Sequence, residues 1–137
     1  MTSKLYVPRD SSAVAMGADL VADKISQVAT ATKADVQIVR NGSRGMMWME
    51  PLLEVETASG RMGYANVTVD DVENFALNGF SESTLAGKGI GLVGEHPYLK
   101  NQERLCFARN GITDPTSIDD YMAHDGFKGL EAALALD

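Results

Sequence analysis

The sequence predicts an α/β domain: a four-stranded mixed sheet with flanking helices, followed by a linker and short C-terminal helices. Three observations predict it. Up to residue 80, short β-prone stretches alternate with segments whose apolar residues recur every three or four positions. Residues 81–94 are small and Gly-rich, which reads as a linker. From residue 95 the spacing is helical again, with an interruption at Gly111 to Pro115. A chain of 137 residues, 45% hydrophobic and 23% charged, can build one compact domain with a short appendage and needs no disulfide or metal staple.

Lys4 to Val7 (KLYV) is β-prone and ends at Pro8, which suits a first strand. Asp10, Ser11 and Ser12 are N-cap candidates for a long helix whose face carries Val14, Gly17, Val21, Ile25 and Val28. That helix fades at Thr30 to Thr32, where β-branching disfavours it. Asp35 to Arg40 alternates with Val36 and Ile38 on one face, a second strand closed by Asn41-Gly42. After a loop from Ser43 to Pro51, Leu52 to Glu56 forms a third strand. Ser59-Gly60 turns it and Arg61 to Val67 returns as a hairpin partner. Thr68 with Asp71 resembles a capping box for a helix carrying Val72, Phe75 and Ala76 and ending at Gly79. Strand, helix, strand, loop, strand, strand, helix is the thioredoxin-like order, with a central sheet and helices on both faces. In the C-terminal part, Ser117 and Asp120 cap a helix containing Ile118, Tyr121 and Met122. Gly126 breaks it, and Phe127, Leu130, Ala133 and Leu134 stripe a final one. Residues 1–80 thus read as one domain and 95–137 as a separate helical part.

The net charge of -7 argues against nucleic acid, whose phosphates demand clustered Lys and Arg; the basic residues here are scattered, and even the tightest pairings, such as Arg40 with Arg44, have nothing basic beside them. No apolar run reaches the roughly 18 residues that span a bilayer. MTSKLYVPRD has no signal-type stretch, and the single Cys106 excludes an intramolecular disulfide, so a cytoplasmic protein is expected. Between Leu105 and Phe107, Cys106 reads as a small buried hydrophobe, and no C-x-x-C supplies a redox dithiol. Gly89, Gly91 and Gly94 match G-x-G-x-x-G, but no strand precedes them in the sequence reading and no acidic ribose partner is evident, so they belong to the linker. His96 and His124 have no second ligand at metal spacing. Glu54 and Glu56 share one strand face, which reads as a solvated surface.

Two stretches carry a family resemblance. Asn41 to Glu54 (NGSRGMMWMEPLLE), with Val7 to Leu20 (VPRDSSAVAMGADL), resembles the thioredoxin-like [2Fe–2S] ferredoxin domain of the small flavoprotein partner in respiratory complex I. That family carries C-x4-C before a Gly-containing helix and C-x3-C before a Pro and a strand. Anchored on Gly17, Gly45 and Pro51, the four ligand positions fall at Pro8, Ala13, Ser43 and Met47, none of which is a thiolate. Tyr98 to Leu134 resembles the opening of the NADH-binding flavoprotein subunit shared by complex I, NAD-reducing hydrogenases and NAD-dependent formate dehydrogenases. The match runs through Asn110-Gly111, Asp114-Pro115, Ser117, Asp120-Tyr121 and Gly126-Phe127. A cluster-less thioredoxin-like domain joined to that opening is similar to the N-terminal part of the β subunit of soluble NAD-dependent formate dehydrogenases, SRGMMWMEPLLEV above all.

The resemblance implies no cofactor in this stretch, with FMN, NAD and a [4Fe–4S] cluster in the remainder of the subunit. It implies a molybdenum- or tungsten-containing α subunit and a small [2Fe–2S] γ subunit as partners, and no role for nucleic acid or membrane. The stretch itself would be neither catalytic nor electron-carrying, and would serve as a structural and docking portion of a longer subunit. An NAD-reducing hydrogenase or a free-standing binding module would fit the same residues. Met46, Met47, Trp48 and Met49 occupy the loop that wraps the metal in cluster-bearing relatives, and two readings stay open: they fill the vacated space, or they form an apolar docking patch. Arg44 beside them reads as a surface charge or an interface anchor.

Overall fold

In the computed structural model, residues 2–80, 85 and 87–136 are described. Their sheet has five strands: β1 (Ser3–Tyr6), β2 (Val36–Val39), β3 (Leu53–Thr57), β4 (Gly60–Tyr64) and β5 (Gly89–Leu92), in spatial order β2-β1-β3-β4-β5. β1 runs parallel to β2, with Leu5 opposite Ile38, and antiparallel to β3, with Tyr6 opposite Glu54. The β3–β4 hairpin pairs Leu53 with Tyr64 through Thr57 with Gly60. This order and these directions give the thioredoxin-like, mixed α/β fold that the sequence predicts.

The helices differ in detail from the expectation. One long helix was predicted after β1; the chain makes α1 (Ser11–Ala15) and α2 (Ala18–Thr32), separated at Gly17, whose φ of 97° lies in the left-handed region. The break lets Ala13 and Ala18 both point inward, while Val14, counted on the buried face, stays exposed. Past Thr32 the helix stops at Lys33, also left-handed. The helix after β4, α3 (Val69–Leu77), begins with the expected capping box: the Asp71 carboxylate accepts from the Thr68 N–H at 2.6 Å.

Alternation along the strands divides the protein into two faces. Leu5, Val7, Leu53, Val55 and Tyr64 meet Val21, Ile25, Val72, Phe75 and Phe80 in one apolar core. Both long helices therefore lie on the same face, not on opposite faces as the element order implied. The other face carries Tyr6, Glu54 and Arg61. It is covered in part by a second, smaller cluster of Met46, Leu52 and Val93, against which Met49, Ile90 and Leu99 pack.

The fifth strand corrects the expected four. It lies inside the stretch read as a linker, whose residues 81–84 and 86 fall outside the described ones. Glycine is a poor strand former, so composition gave no sign of it. What makes the strand is its partner: Gly63 on β4 has no side chain, and a Cβ there would come within 2.9 Å of Ile90 and Val93 atoms. The absence of that one carbon lets β5 and the turn after it close onto the sheet. Further on are α4 (Pro97–Lys100), α5 (Ile118–Ala123) and α6 (Lys128–Leu134).

Candidate functional site

The carboxyl ends of β1 and β2 and the amino end of β3 share one end of the sheet. Three loops meet there. The Arg9 N–H donates to the Asn41 carbonyl at 2.9 Å, the Asn66 N–H to Met49 at 2.9 Å and the Val67 N–H to Pro51 at 3.1 Å. The peptide between Glu50 and Pro51 is cis.

All four positions matched to cluster ligands lie on these loops or the helix they lead into. Pro8 and Ala13 are buried beside β1. Ser43 donates its hydroxyl hydrogen to Glu50 at 2.8 Å and accepts from the Gly45 N–H at 3.0 Å. Met47 points outward, 63% exposed. A proline, a methyl group, an engaged hydroxyl and an outward thioether do not fit an iron–sulfur cluster, which needs thiolates. No group of three or more His, Cys, Asp or Glu among the described residues could hold a metal ion.

The methionine–tryptophan run divides between its two readings. Met46 is fully buried in the second cluster, Met49 is half-buried against it, and Met47 and Trp48 face solvent. A single turn of 3-10 helix over Met47–Met49 orients them. Trp48 meets the Tyr98 ring edge to face at 4.9 Å.

Arg44 is not a surface charge. Its Nε and Nη2 each donate to one Glu54 oxygen at 2.8 Å, a bidentate pair. Glu54 is fully buried and Arg61 Nη1 approaches it at 3.4 Å, which corrects the reading of Glu54 and Glu56 as a solvated face. Only Glu56 fits that reading, and it too is engaged. The Tyr6 hydroxyl and, more weakly, Lys4 hold its carboxyl below the usual range. The Arg61 guanidinium stacks over the Tyr6 ring at 3.5 Å.

Glu50, which sequence reasoning passed over, is fully buried at this end. Burial pushes its pKa up and the charges of Asp10 and Glu54 add to that, against the N–H of Leu52 and the hydroxyl of Ser43, which favour the ionised form. The sequence signal was its place between apolar Met49 and Pro51-Leu52.

A segment beyond the sheet fastens to the same end. The Gly111 carbonyl accepts from Asn41 Nδ2 at 2.9 Å and from Arg61 Nη1 at 2.7 Å. The Gly42 N–H donates to Thr113, Arg9 reaches Asp114 and Thr116, and Arg104 donates to the Arg44 carbonyl. Gly111 has φ of 78°, and a Cβ there would lie 2.3 Å from Arg44 Cδ. Gly111 and Asp114 are thus both resemblance-motif residues and the contacts that hold the segment down. Cys106, expected to be buried, is exposed with Leu105 and Phe107 in the turns before Gly111. The His96 ring nitrogen caps α4, accepting from the Tyr98 N–H at 3.3 Å, and His124 Nδ1 lies 2.9 Å from the Asp120 carbonyl.

Two solved structures similar to the chain are both of a thioredoxin-like [2Fe–2S] ferredoxin from Aquifex aeolicus. The first, of the wild-type protein, is 16% identical with a TM-score of 0.49, covering 60% of this chain and 91% of that one. The second is 18% identical with a TM-score of 0.48, covering 60% of this chain and 86% of that one. No family model matches the sequence, and no curated protein matches it.

Proposed function

We propose that this chain is a non-catalytic structural and docking portion of the β subunit of a cytoplasmic NAD-dependent formate dehydrogenase. It would combine a thioredoxin-like module without a cluster and the opening helices of the NADH-binding flavoprotein domain. In the parent complex, electrons from formate reach NAD through FMN and a [4Fe–4S] cluster held elsewhere in the subunit. The partners are the molybdenum- or tungsten-containing α subunit and the small [2Fe–2S] γ subunit.

The reading rests on the residues of the two resembling stretches, and one observation carries the docking role. Trp48 and Met47 stand exposed on a loop that Arg44 pins to a buried carboxylate and Met46 anchors in the core. A rigid loop that presents a large aromatic to solvent is pre-organised for contact, and tryptophan is enriched among the residues that dominate interfaces. No helix among the described residues is long and apolar enough to cross a membrane.

The test is Trp48→Ala in the full subunit expressed with its α and γ partners. The variant chain should keep its melting temperature within a few degrees, while the yield of complex showing formate-dependent NAD reduction falls. A complex whose activity is driven by hydrogen would point to the hydrogenase parent. Normal assembly of the Trp48→Ala subunit would refute the docking role.

A further inference from the structure

The sheet face opposite the long helices opens into a cleft of about 360 Å³ lined by Arg44, Gly60, Arg61, Leu92, Gly94 and Ile112. Its charge is unbalanced. Arg44 and Arg61 face one buried carboxylate, Glu54. Glu56, opposite Arg61 on β3, also faces that guanidinium but is paired with Lys4, so one net positive charge remains beneath the opening. Arg44 spends Nε and Nη2 on Glu54, and Arg61 spends Nη1 on Glu54 and the Gly111 carbonyl. Arg44 Nη1 and Arg61 Nε and Nη2 make no hydrogen bond among the described residues. Both side chains keep an accessible edge, 16% for Arg44 and 21% for Arg61. Glu95, which also lines the cleft, is paired with Lys100 at 3.8 Å. Leu92 and Ile112 supply apolar lining, and Gly60 and Gly94 expose backbone that a ligand can approach closely.

We propose that this cleft binds a small monocarboxylate. The carboxylate would sit on the unspent N–H groups of Arg44 and Arg61, and a short apolar stem would lie against Leu92 and Ile112. A guanidinium fork matches a planar carboxylate, and the volume sits near the lower end of ligand pockets, roughly 300–1,000 Å³. Glu54 and Glu95 disfavour a dianion, so charge selects one negative charge and the lining selects a stem. Arg44 lies on the same loop as Trp48, but neither Met47 nor Trp48 lines the cleft, and the site stands whether or not those two dock a partner.

Backbone-amide NMR titration of the full chain with butyrate, n-butanol and inorganic phosphate tests the assignment. Butyrate should give saturable shifts at residues 60, 61, 92, 94 and 112 that weaken with added sodium chloride. Butanol, which has the stem without the charge, should give none. Arg61→Gln should bind butyrate about tenfold more weakly, the loss expected for one charge-assisted hydrogen bond, with the Arg44–Glu54 pair left intact. Ile112→Asp should lose binding with neither arginine touched. Three results would overturn the proposal: no saturable butyrate shift, phosphate binding as tightly at the same residues, or an Ile112→Asp variant that binds normally.

Discussion

The two faces of the sheet are built on different physical terms. Beneath α2 and α3, Leu5, Val55, Ile25, Val72 and Phe75 exclude water, and burial of apolar area stabilises that side. On the other face Glu54 is equally buried, yet its neighbours are Arg44, Arg61 and the segment that Gly111 joins to them. The difference teaches that one sheet can carry a non-directional core and a directional, charge-matched contact back to back. The first tolerates change in proportion to the volume removed. The second fails when a single partner is lost, because what remains is a buried charge.

Substitutions rank the two sides. Phe75→Ala strikes the apolar core, where Phe75 packs edge to face on Phe80 at 5.3 Å, and should cost about 3–5 kcal/mol in urea denaturation. The polar side comes next. Glu54→Gln keeps the shape and removes the charge that both arginines face, and should cost about 3 kcal/mol, at the low end for breaking a buried pair because the guanidiniums keep water on one edge. If Glu54→Gln proved neutral, the ion triad would contribute shape alone and the contrast would collapse.

Gly111→Ala is subtler. A Cβ there meets Arg44 and sits at a positive φ, so about 1–2 kcal/mol of strain should be relieved by detaching the segment. Hydrogen exchange should then speed up at residues 104–117 while Leu5 and Val55 stay protected. A uniform loss of protection would mean that the segment and the apolar core open as one unit.

The smallest effect separates two carboxylates by pH. Asp71 is partly desolvated, which alone would raise its pKa, but Lys88 and the Thr68 hydroxyl and N–H outweigh this and lower it. Its contribution is therefore present at neutral pH and fades as pH falls through the carboxylate range. Glu50 is raised by burial, so its contribution is complete in acid and fades as pH rises through its elevated pKa. Asp71→Asn should lose about 1 kcal/mol near neutrality, the usual worth of a helix cap, and the deficit should shrink as pH falls below about 4, through the lowered pKa. Glu50→Gln should flatten the neutral side of the stability profile and leave the acid side unchanged. The same slope in both variants would contradict the opposite environments of the two groups.

Much of the first face was legible in the residues. The first three strands fell within a residue of their predicted limits, because alternation in DVQIVR and LLEVE reports directly on which side of a pleat each residue lies, while β4 stopped at Tyr64, three residues short of the predicted Val67. The Thr68–Asp71 cap was readable because a capping box is local. Gly17 was counted as one position on a helical face, but its backbone freedom made it the break between two helices. The candidate site was legible in pieces. Its loops and the four non-thiolate positions followed from the resemblance, and the burial of Met46 beside an exposed Trp48 did not.

What the sequence by itself determined is the content of most elements: which stretches become the first four strands, where α1 and α3 start, and that no thiolates stand at the four matched positions. These depend on neighbours within a few residues, whose spacing is written in the chain. Tertiary structure alone decided the rest. Glu54 and Glu56 have the same spacing and chemistry, yet one is buried and the other exposed, because Arg44, Arg61 and Gly111 arrive from 10, 7 and 57 residues away. β5 exists because Gly63 leaves room for Ile90 and Val93. Such contacts join side chains through space, and no local pattern encodes the distance between them.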